Sequence, residues 1–560
     1  MVVLLLWFPL WNILFPPEPG TVQPDTATTQ TPLTPDTLAA SDTTAWAQAP
    51  TLAPLDSAAL AAMQAEPERL ITVDTRNLRI VLSTYGGNVK QVMLKHYLDY
   101  NAEQVKLLNG YNDPAWARFG ALTVGYVDNP AAFNGYGFQT DAQDIILNPQ
   151  NSTTQVIFTY TSPDGAVITK TYTFHHEDYL FDFDINIKNP ELFNLRQGVT
   201  VGWFAPIEPS EEDLTQDKGK LGGFFSMDGE FEFFSKLKDG KLRQVVTGPV
   251  DWIATRTKYF TAVIMADKES GQEVVVVGNK ASRVDSNGKI QQWDLYGVGM
   301  TYNNPPRETS LSFHIYTGPL DYDKLRDMDK GLTNLVDMGW KIFRPFAIAI
   351  LWLFTNLHKL IPNYGFVIIV FSIIMKAIFW PLSLKSGKSM YKMKEIQPKL
   401  QEVKEKFKND PARLNQETMK AYKEFGVNPF SSCLPMLIQL PIFWALYSVL
   451  SNTIELRAAD FIFWITDLSQ ADPSGKHIPL GIGILPIIMG IAMFFQQKMT
   501  VTDPKQKMLV YLMPILFTYL FSRWASGLVL YWTVFSVVGI LEQWMILRHI
   551  QAEKDAKRTA

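Results

Sequence analysis

Between residues 363 and 547 the chain holds five apolar stretches, each bounded by a charged loop. They cover residues 363–384, 429–452, 480–498, 508–522 and 526–547. A run of this length and composition has few solutions. In hydrocarbon every backbone N–H and C=O must be satisfied within the segment, which leaves α-helices. Lys and Arg set the orientation. The segment 385–428 carries Lys385, Lys388, Lys392, Lys394, Lys399, Lys404, Lys406, Lys408, Arg413, Lys420 and Lys423. Residues 499–507 hold Lys505 and Lys507, just past Lys498, and the tail 548–560 adds Arg548, Lys554, Lys557 and Arg558. The segment 453–479 instead sets Arg457 and Lys476 among Glu455, Asp460, Asp467 and Asp472. The basic loops are therefore expected in the cytoplasm.

The rest of the chain reads differently. Residues 1–15 are apolar, stopped by Pro16 and Pro17, and reach roughly 22 Å as a helix against a hydrocarbon core of ~30 Å. With no basic flank and no small-residue cleavage site, this run is expected to be an uncleaved anchor, the first of six spans. Both termini are then cytoplasmic. Residues 16–69, rich in Pro, Thr, Ala and Asp, are expected to form a flexible linker. From 70 to 320 the period is two. In Tyr179–Lys188, Tyr179, Phe181, Phe183, Ile185 and Ile187 fall on one face and Asp182, Asp184, Asn186 and Lys188 on the other. Ser162-Pro163-Asp164-Gly165 marks a hairpin turn, and further strands are expected at Phe260–Ala266, Glu273–Val277 and Ser310–Tyr316. Many strands without alternating helices predict an antiparallel β-sandwich outside the membrane. Cys433 is the only cysteine, so that domain must stand on its own core. Residues 321–362 mix Trp340, Phe343, Phe346, Trp352 and Phe354 with Arg344, His358 and Lys359, the pattern of an interfacial helix.

One residue stands out chemically. Lys376 lies twelve residues beyond Tyr364, roughly 18 Å into the second span and past its midplane. On insertion scales a lysine deep in a span costs about 2.5–3.5 kcal/mol. Snorkelling to the inner interface is the plain alternative. Ser372 precedes it by one turn. Polar residues recur along three other spans: Ser432, Gln439 and Tyr447; Tyr511, Thr518 and Ser522; Thr533, Ser536 and Gln543. One such stripe is ordinary helix–helix glue. Three stripes around a cation predict a shared wet cavity. We expect no acidic partner for Lys376 within the spans, hence a cation awaiting an anionic group.

The segment 385–428 predicts a cytoplasmic helical hairpin. Met390, Met393, Ile396, Leu400, Val403 and Phe407 recur at three and four, Asp410-Pro411 starts the return helix, and Gly426 ends it. A solvated structural hairpin and a docking element fit this pattern equally. No nucleotide-binding, zinc-protease or CxxC motif appears, and His175-His176-Glu177 reads as a polar strand end. No catalytic residue, metal site or cofactor is expected. The net charge of −4 gives no nucleic-acid bias.

The stretch from about Gly365 to Leu547 resembles the YidC family of bacterial membrane-protein insertases. The residues carrying the resemblance are Pro381-Leu382; Met393 with Gln397-Pro398-Lys399; Val427-Asn428-Pro429; Cys433-Leu434-Pro435 through Gln439-Leu440-Pro441-Ile442-Phe443; Glu455-Leu456-Arg457; Asp467-Leu468; Thr502-Asp503-Pro504; and Ser526-Gly527-Leu528-Val529-Leu530-Tyr531. The resemblance implies a five-helix insertase core with a cationic groove open to cytoplasm and lipid, beside a large periplasmic β domain. The client-binding groove is then expected at Lys376, Ser372, Gln439, Tyr447, Thr518, Tyr531, Trp532, Thr533 and Ser536. The resemblance further implies a hydrophobic slide near Cys433, Phe443, Leu516 and Leu520, and a cytoplasmic hairpin acting through Met393, Pro398, Lys399 and Leu400. The partners implied are nascent membrane proteins, the Sec translocon with its accessory subunits, the ribosome through hairpin and tail, and membrane lipid. The sequence departs from the family in carrying lysine where arginine is common at position 376, in Trp524-Ala525 before Ser526, and in lacking a basic N-terminus. A secondary transporter using the same cavity would show internal repeats and paired acidic residues. A carbohydrate enzyme would show paired carboxylates in the β domain. Neither pattern is found.

Overall fold

The alternation in Tyr179–Lys188 becomes a strand, Leu180–Lys188, whose Phe181, Phe183, Ile185 and Ile187 are buried while Asp182 and Asp184 stay partly open. In this computed structural model, which describes residues 67–109, 120–238, 240–284, 290–426, 434–478, 481–500 and 507–559, that strand pairs antiparallel on both sides. Its neighbours are Val167–His175 and Glu308–Pro319. The turn at Ser162–Gly165 closes the hairpin between Thr153–Thr161 and Val167–His175, with Ser162 N donating to Ala166 O and Gly165 at φ 84°. The anchor and most of the linker lie outside the described residues.

Two sheets result. The larger has twelve strands and runs from the edge strand Thr123–Gly125 to the edge strand Thr153–Thr161. The expected strands fall inside it as Phe260–Ala266, Gly271–Val284 and Glu308–Pro319. The smaller has five strands, four of them in the run from Leu70 to Asn109. Its fifth, Ile145–Ile146, pairs parallel with Leu70–Asp74, a departure from the wholly antiparallel expectation. Residues from both sheets bury into one hydrophobic cluster. Inside it Lys170 Nζ is buried yet satisfied, donating to Gly86 O, Asn88 Oδ1 and Leu122 O at 2.5–3.2 Å. Burial pulls its pKa down to about 7.

The domain boundary at 320 needs correction. Leu320, Leu325, Leu332, Leu335, Val336 and Met338 are all buried. Trp252 Nε1 donates to Lys330 O at 2.8 Å, and Arg256 hydrogen-bonds Leu335 O. The short helix α1 (Tyr322–Asp327) and the turn after it therefore pack on the sheets. Helix α2 (Arg344–His358), with Pro345 in its first turn, buries Ala347, Ile350, Leu351 and Phe354 and exposes Phe346 and Trp352. That helix has two faces and occupies the second half of the segment 321–362.

Among the described residues six more helices follow: α3 (Tyr364–Lys406), α4 (Pro411–Glu424), α5 (Leu434–Asn452), α6 (Ile484–Thr500), α7 (Lys507–Phe521) and α8 (Ser526–Thr559). The expected break at 384 does not occur. α3 continues for 43 residues, so the apolar stretch 363–384 and the first arm of the expected hairpin are one helix of roughly 65 Å. Asp410 caps α4 by accepting from Arg413 N, and Gly426, at φ 59°, follows it. Likewise α8 runs past 547 into the basic tail. Among the described residues, α3 and α8 are long and apolar enough to cross a membrane. α6 and α7 are apolar but shorter, at roughly 26 and 22 Å.

Candidate functional site

Asn363 starts α3 by accepting from Gly365 N and Phe366 N at 2.9 and 3.3 Å. Gly365 permits close approach, since a Cβ there would run into the ring of Phe461. From this fixed end the helix turns Val367, Ile368, Phe371, Ser372, Met375 and Lys376 inward and Phe366, Ile373, Ala377 and Ile378 outward. Lys376 thus lies on the packed face and does not snorkel; it is 8% exposed.

Its partner comes from α8. Lys376 Nζ lies 2.8 Å from Glu542 Oε2, and Glu542 is 6% exposed. The expectation of an unpaired cation is therefore wrong. Glu542 stands inside the last apolar stretch, sixteen residues after Ser526, and its spacing of seven from Phe535 and three from Gly539 puts all three on one helix face. That spacing was legible beforehand. Each of these positions serves the lysine. Phe535 offers its ring face, with Nζ 3.8 Å from the centroid. Gly539 leaves room for the ammonium, because a Cβ would stand 3.1 Å from Nζ and collide with Gln496 Nε2 of α6. Glu542 spends one oxygen on the lysine. Its other, Oε1, is buried without a hydrogen-bond partner among the described residues, as is Ser536 Oγ.

The remaining groove residues divide. Gln439 Nε2 donates to Tyr531 OH at 3.5 Å, and the Tyr531 ring packs against Phe371 and Phe535, continuing the lysine site across α5 and α8. Ser372, Thr518 and Thr533 instead donate to the carbonyls of Ile368, Pro514 and Val529 on their own helices. This is the i−4 back-bonding of small hydroxyls in apolar helices, and it takes them out of a shared polar network. Trp532 and Tyr447 belong to an aromatic cluster. Trp532 packs on Phe443, Phe517 and Phe521, and Tyr447 on Trp524. Among the described residues the hydroxyls of Ser372, Thr518 and Thr533 do not join one hydrogen-bonded network with Lys376. Lys376 and Glu542 form a compact charged site backed by aromatic rings.

Of the expected slide, Leu516 and Leu520 are 51% and 45% exposed on α7, beside exposed Leu512 and Ile515. Phe443 is buried beneath them in the aromatic cluster, and Cys433 lies outside the described residues. On the hairpin, Met393 and Leu400 are half-buried on the seam with Ile396 and Val403, while Pro398 and Lys399 are exposed.

A second charged cluster, outside the apolar helices, was not expected. Arg457 Nε lies 2.7 Å from Glu211 Oε1, both side chains under 10% exposed. Arg457 also donates to Leu98 O at 2.7 Å and packs over the rings of Tyr259 and Phe260. Gln470 Nε2 donates to Glu211 Oε2, and Ser526 N and Gly527 N donate to the carbonyls of Gln470 and Leu468. The segment after α5 is thus bolted both to the β domain and to the start of α8. Within it Glu455 is half-buried, and desolvation of its carboxylate raises its pKa to about 7.

Residues 356–554 match the family described as "60Kd inner membrane protein", and residues 70–353 match "YidC periplasmic domain". The membrane protein insertase YidC of Syntrophus aciditrophicus is 35% identical over 508 residues, 88% of this chain and 87% of that protein. The protein of the same name from Geobacter metallireducens is 33% identical over 518 residues, 90% of each chain. Among solved structures, an active YidC insertase crystal structure with the first transmembrane domain resolved is 19% identical, with a TM-score of 0.37 over 85% of this chain and 92% of that one.

Proposed function

The chain belongs to the YidC family of membrane-protein insertases, and from that premise we propose that it receives the hydrophilic tails of its clients at Lys376 and releases their transmembrane helices into lipid along α7. Membership makes the protein a membrane-protein insertase of the bacterial inner membrane and not an enzyme; its clients are nascent membrane proteins. The finer reading rests on one observation. A lysine sits roughly 18 Å into an apolar helix, faces inward, and meets Glu542 and the ring of Phe535, against which Tyr531 packs.

The physical steps follow. A carboxylate in a client's short extracytoplasmic tail is attracted to Lys376; at ~4 Å and an effective dielectric near 20 the Coulomb term is about 4 kcal/mol before desolvation. The client's apolar helix then meets Leu512, Leu516 and Leu520 on α7, which present a continuous apolar face to lipid. The membrane potential favours outward movement of each negative charge by about 2.3 kcal/mol per 100 mV. No nucleotide enters this scheme. The topology that fits it has both termini and the α3–α4 hairpin in the cytoplasm, where the basic residues lie, and the β domain in the periplasm. The exposed Pro398 and Lys399 and the basic end of α8 then face the ribosome, and the Sec translocon is a second partner for longer clients.

The test compares clients with acidic and neutral tails. Lys376→Arg keeps the cation and adds donors, so insertion into vesicles, read by protease protection, should stay near the parent's. Lys376→Ala should lower insertion of acidic-tailed clients selectively and spare neutral ones. Equal insertion of both client types by Lys376→Ala would sink the proposal.

A further inference from the structure

The Lys376 ammonium already holds a carboxylate, and this bears on which clients can use the site. We propose that Glu542 is the resident occupant of the receiver: it holds Lys376 while no client is present and is exchanged for a carboxylate of the client's tail. This rests on the reading that Lys376 receives acidic tails. Two features of the site point to exchange and not to a fixed structural bridge. First, the pair is half-satisfied. Glu542 Oε2 meets Nζ at 2.8 Å, while Oε1 is buried without a hydrogen-bond partner among the described residues, so within them the carboxylate is held from one side only. A fixed buried ion pair is stable when its remaining lone pairs are also satisfied, and this one is not.

Second, the lysine end is preorganised independently of Glu542. Gly539 leaves room for the ammonium, and the Phe535 ring stacks 3.8 Å from it. The cation therefore keeps a favourable seat while its anion changes. A resident carboxylate solves a problem that a bare receiver would have, because an ammonium left alone among apolar helices is costly. It also sets a threshold. A client must bring an anion able to replace Glu542, so neutral tails gain nothing from the site and acidic ones are selected.

The experiment uses the full-length protein in lipid vesicles. The probe is a short client whose tail carries either two aspartates or two asparagines, with a photoreactive residue beside them. Glu542→Gln removes the competing charge and keeps the shape. Groove crosslinking of the aspartate tail should rise about five- to tenfold, the gain expected when a site free about a tenth to a fifth of the time becomes free throughout. Crosslinking of the asparagine tail should not change. Glu542→Asp, which draws the carboxylate back by one methylene, should give a smaller rise with the same tail-charge dependence. A purely structural role would shift both tails together. Parent-level aspartate-tail crosslinking in both variants overturns the inference. The two readings fail separately. If Lys376→Ala leaves aspartate-tail insertion intact, the receiver itself is wrong; if Lys376→Ala impairs it and Glu542→Gln gives no rise, only the exchange is wrong.

Discussion

Replacing Arg457 with methionine should loosen the segment between α5 and α6 without disturbing the helices around it. The change keeps an unbranched apolar stem against Tyr259 and Phe260 and removes the guanidinium. Two contacts of 2.7 Å vanish, to Glu211 Oε1 and to Leu98 O. Removing one partner of a buried ion pair typically costs 3–5 kcal/mol, because the other charge is stranded. Glu211 keeps bonds from Gln470 Nε2 at 3.1 Å and Ser210 Oγ at 2.9 Å, so the lower end, about 3 kcal/mol, applies here. That is on the order of a hundredfold rise in the locally opened population. Amide hydrogen exchange across Ile454–Leu468 in detergent-solubilised protein reads it directly. The pair's burial makes the effect insensitive to added salt. The double variant Arg457→Met with Glu211→Leu should recover more than half of the protection, since it no longer buries a lone charge. Exchange in Arg457→Met within about twofold of the parent's would refute the argument that this pair holds the segment to the β domain.

Two further outcomes follow from burial outside the apolar helices. Glu455 is protonated more readily when folded, with its pKa raised to about 7 by desolvation, so the folded state binds more protons than the unfolded one between about 4.5 and about 7. Its contribution to stability is present at low pH and lost as pH rises through about 7; Glu455→Gln should flatten that slope in thermal denaturation, and an unchanged slope would rule out Glu455 as its source. A soluble fragment from Glu68 to Met338 should unfold cooperatively and at higher denaturant than one ending at Pro319, because the shorter piece loses Leu325, Leu332, Leu335 and Met338 at about 1.5–3 kcal/mol for each large apolar side chain. Equal midpoints would show that the turn after α1 adds nothing to the β domain.

Period and composition carried most of the fold. Strict alternation located Leu180–Lys188 to within a residue, because a strand buried on one face must alternate. The hairpin turn was equally local, needing only Pro163, Asp164 and the positive φ of Gly165. What failed was non-local or rested on a boundary. The parallel pairing of Ile145–Ile146 with Leu70–Asp74 joins residues some seventy positions apart that carry no shared pattern. The expected stop at 384 assumed that a helix ends where hydropathy falls, yet a basic helix continues readily once it leaves lipid, and α3 does so through Pro381 and Pro398. At the site, Lys376 announced itself by the cost of its charge. Glu542 did not, although the same cost applied to it, because it stands near the end of its apolar stretch, among Gln543, Trp544 and Arg548. The hydroxyls of Ser372, Thr518 and Thr533 show what polar spacing does not reveal, since each bonds a carbonyl on its own helix. Arg457 was legible only as a family motif residue, since its partner Glu211 lies far away in sequence.

The central claim is that the sign of the charge at position 376 selects the client's tail. It is tested most directly by inverting that sign and removing the resident carboxylate in one protein, Lys376→Glu with Glu542→Gln. Insertion of two clients into vesicles without a membrane potential, so that the field does not itself sort the tails, is then compared, one with aspartates and one with lysines in an otherwise identical tail. The account predicts that the preference reverses relative to the parent: the lysine tail enters the groove and crosslinks there, and the aspartate tail is excluded. A doubly substituted protein that folds normally and still prefers the aspartate tail would contradict it.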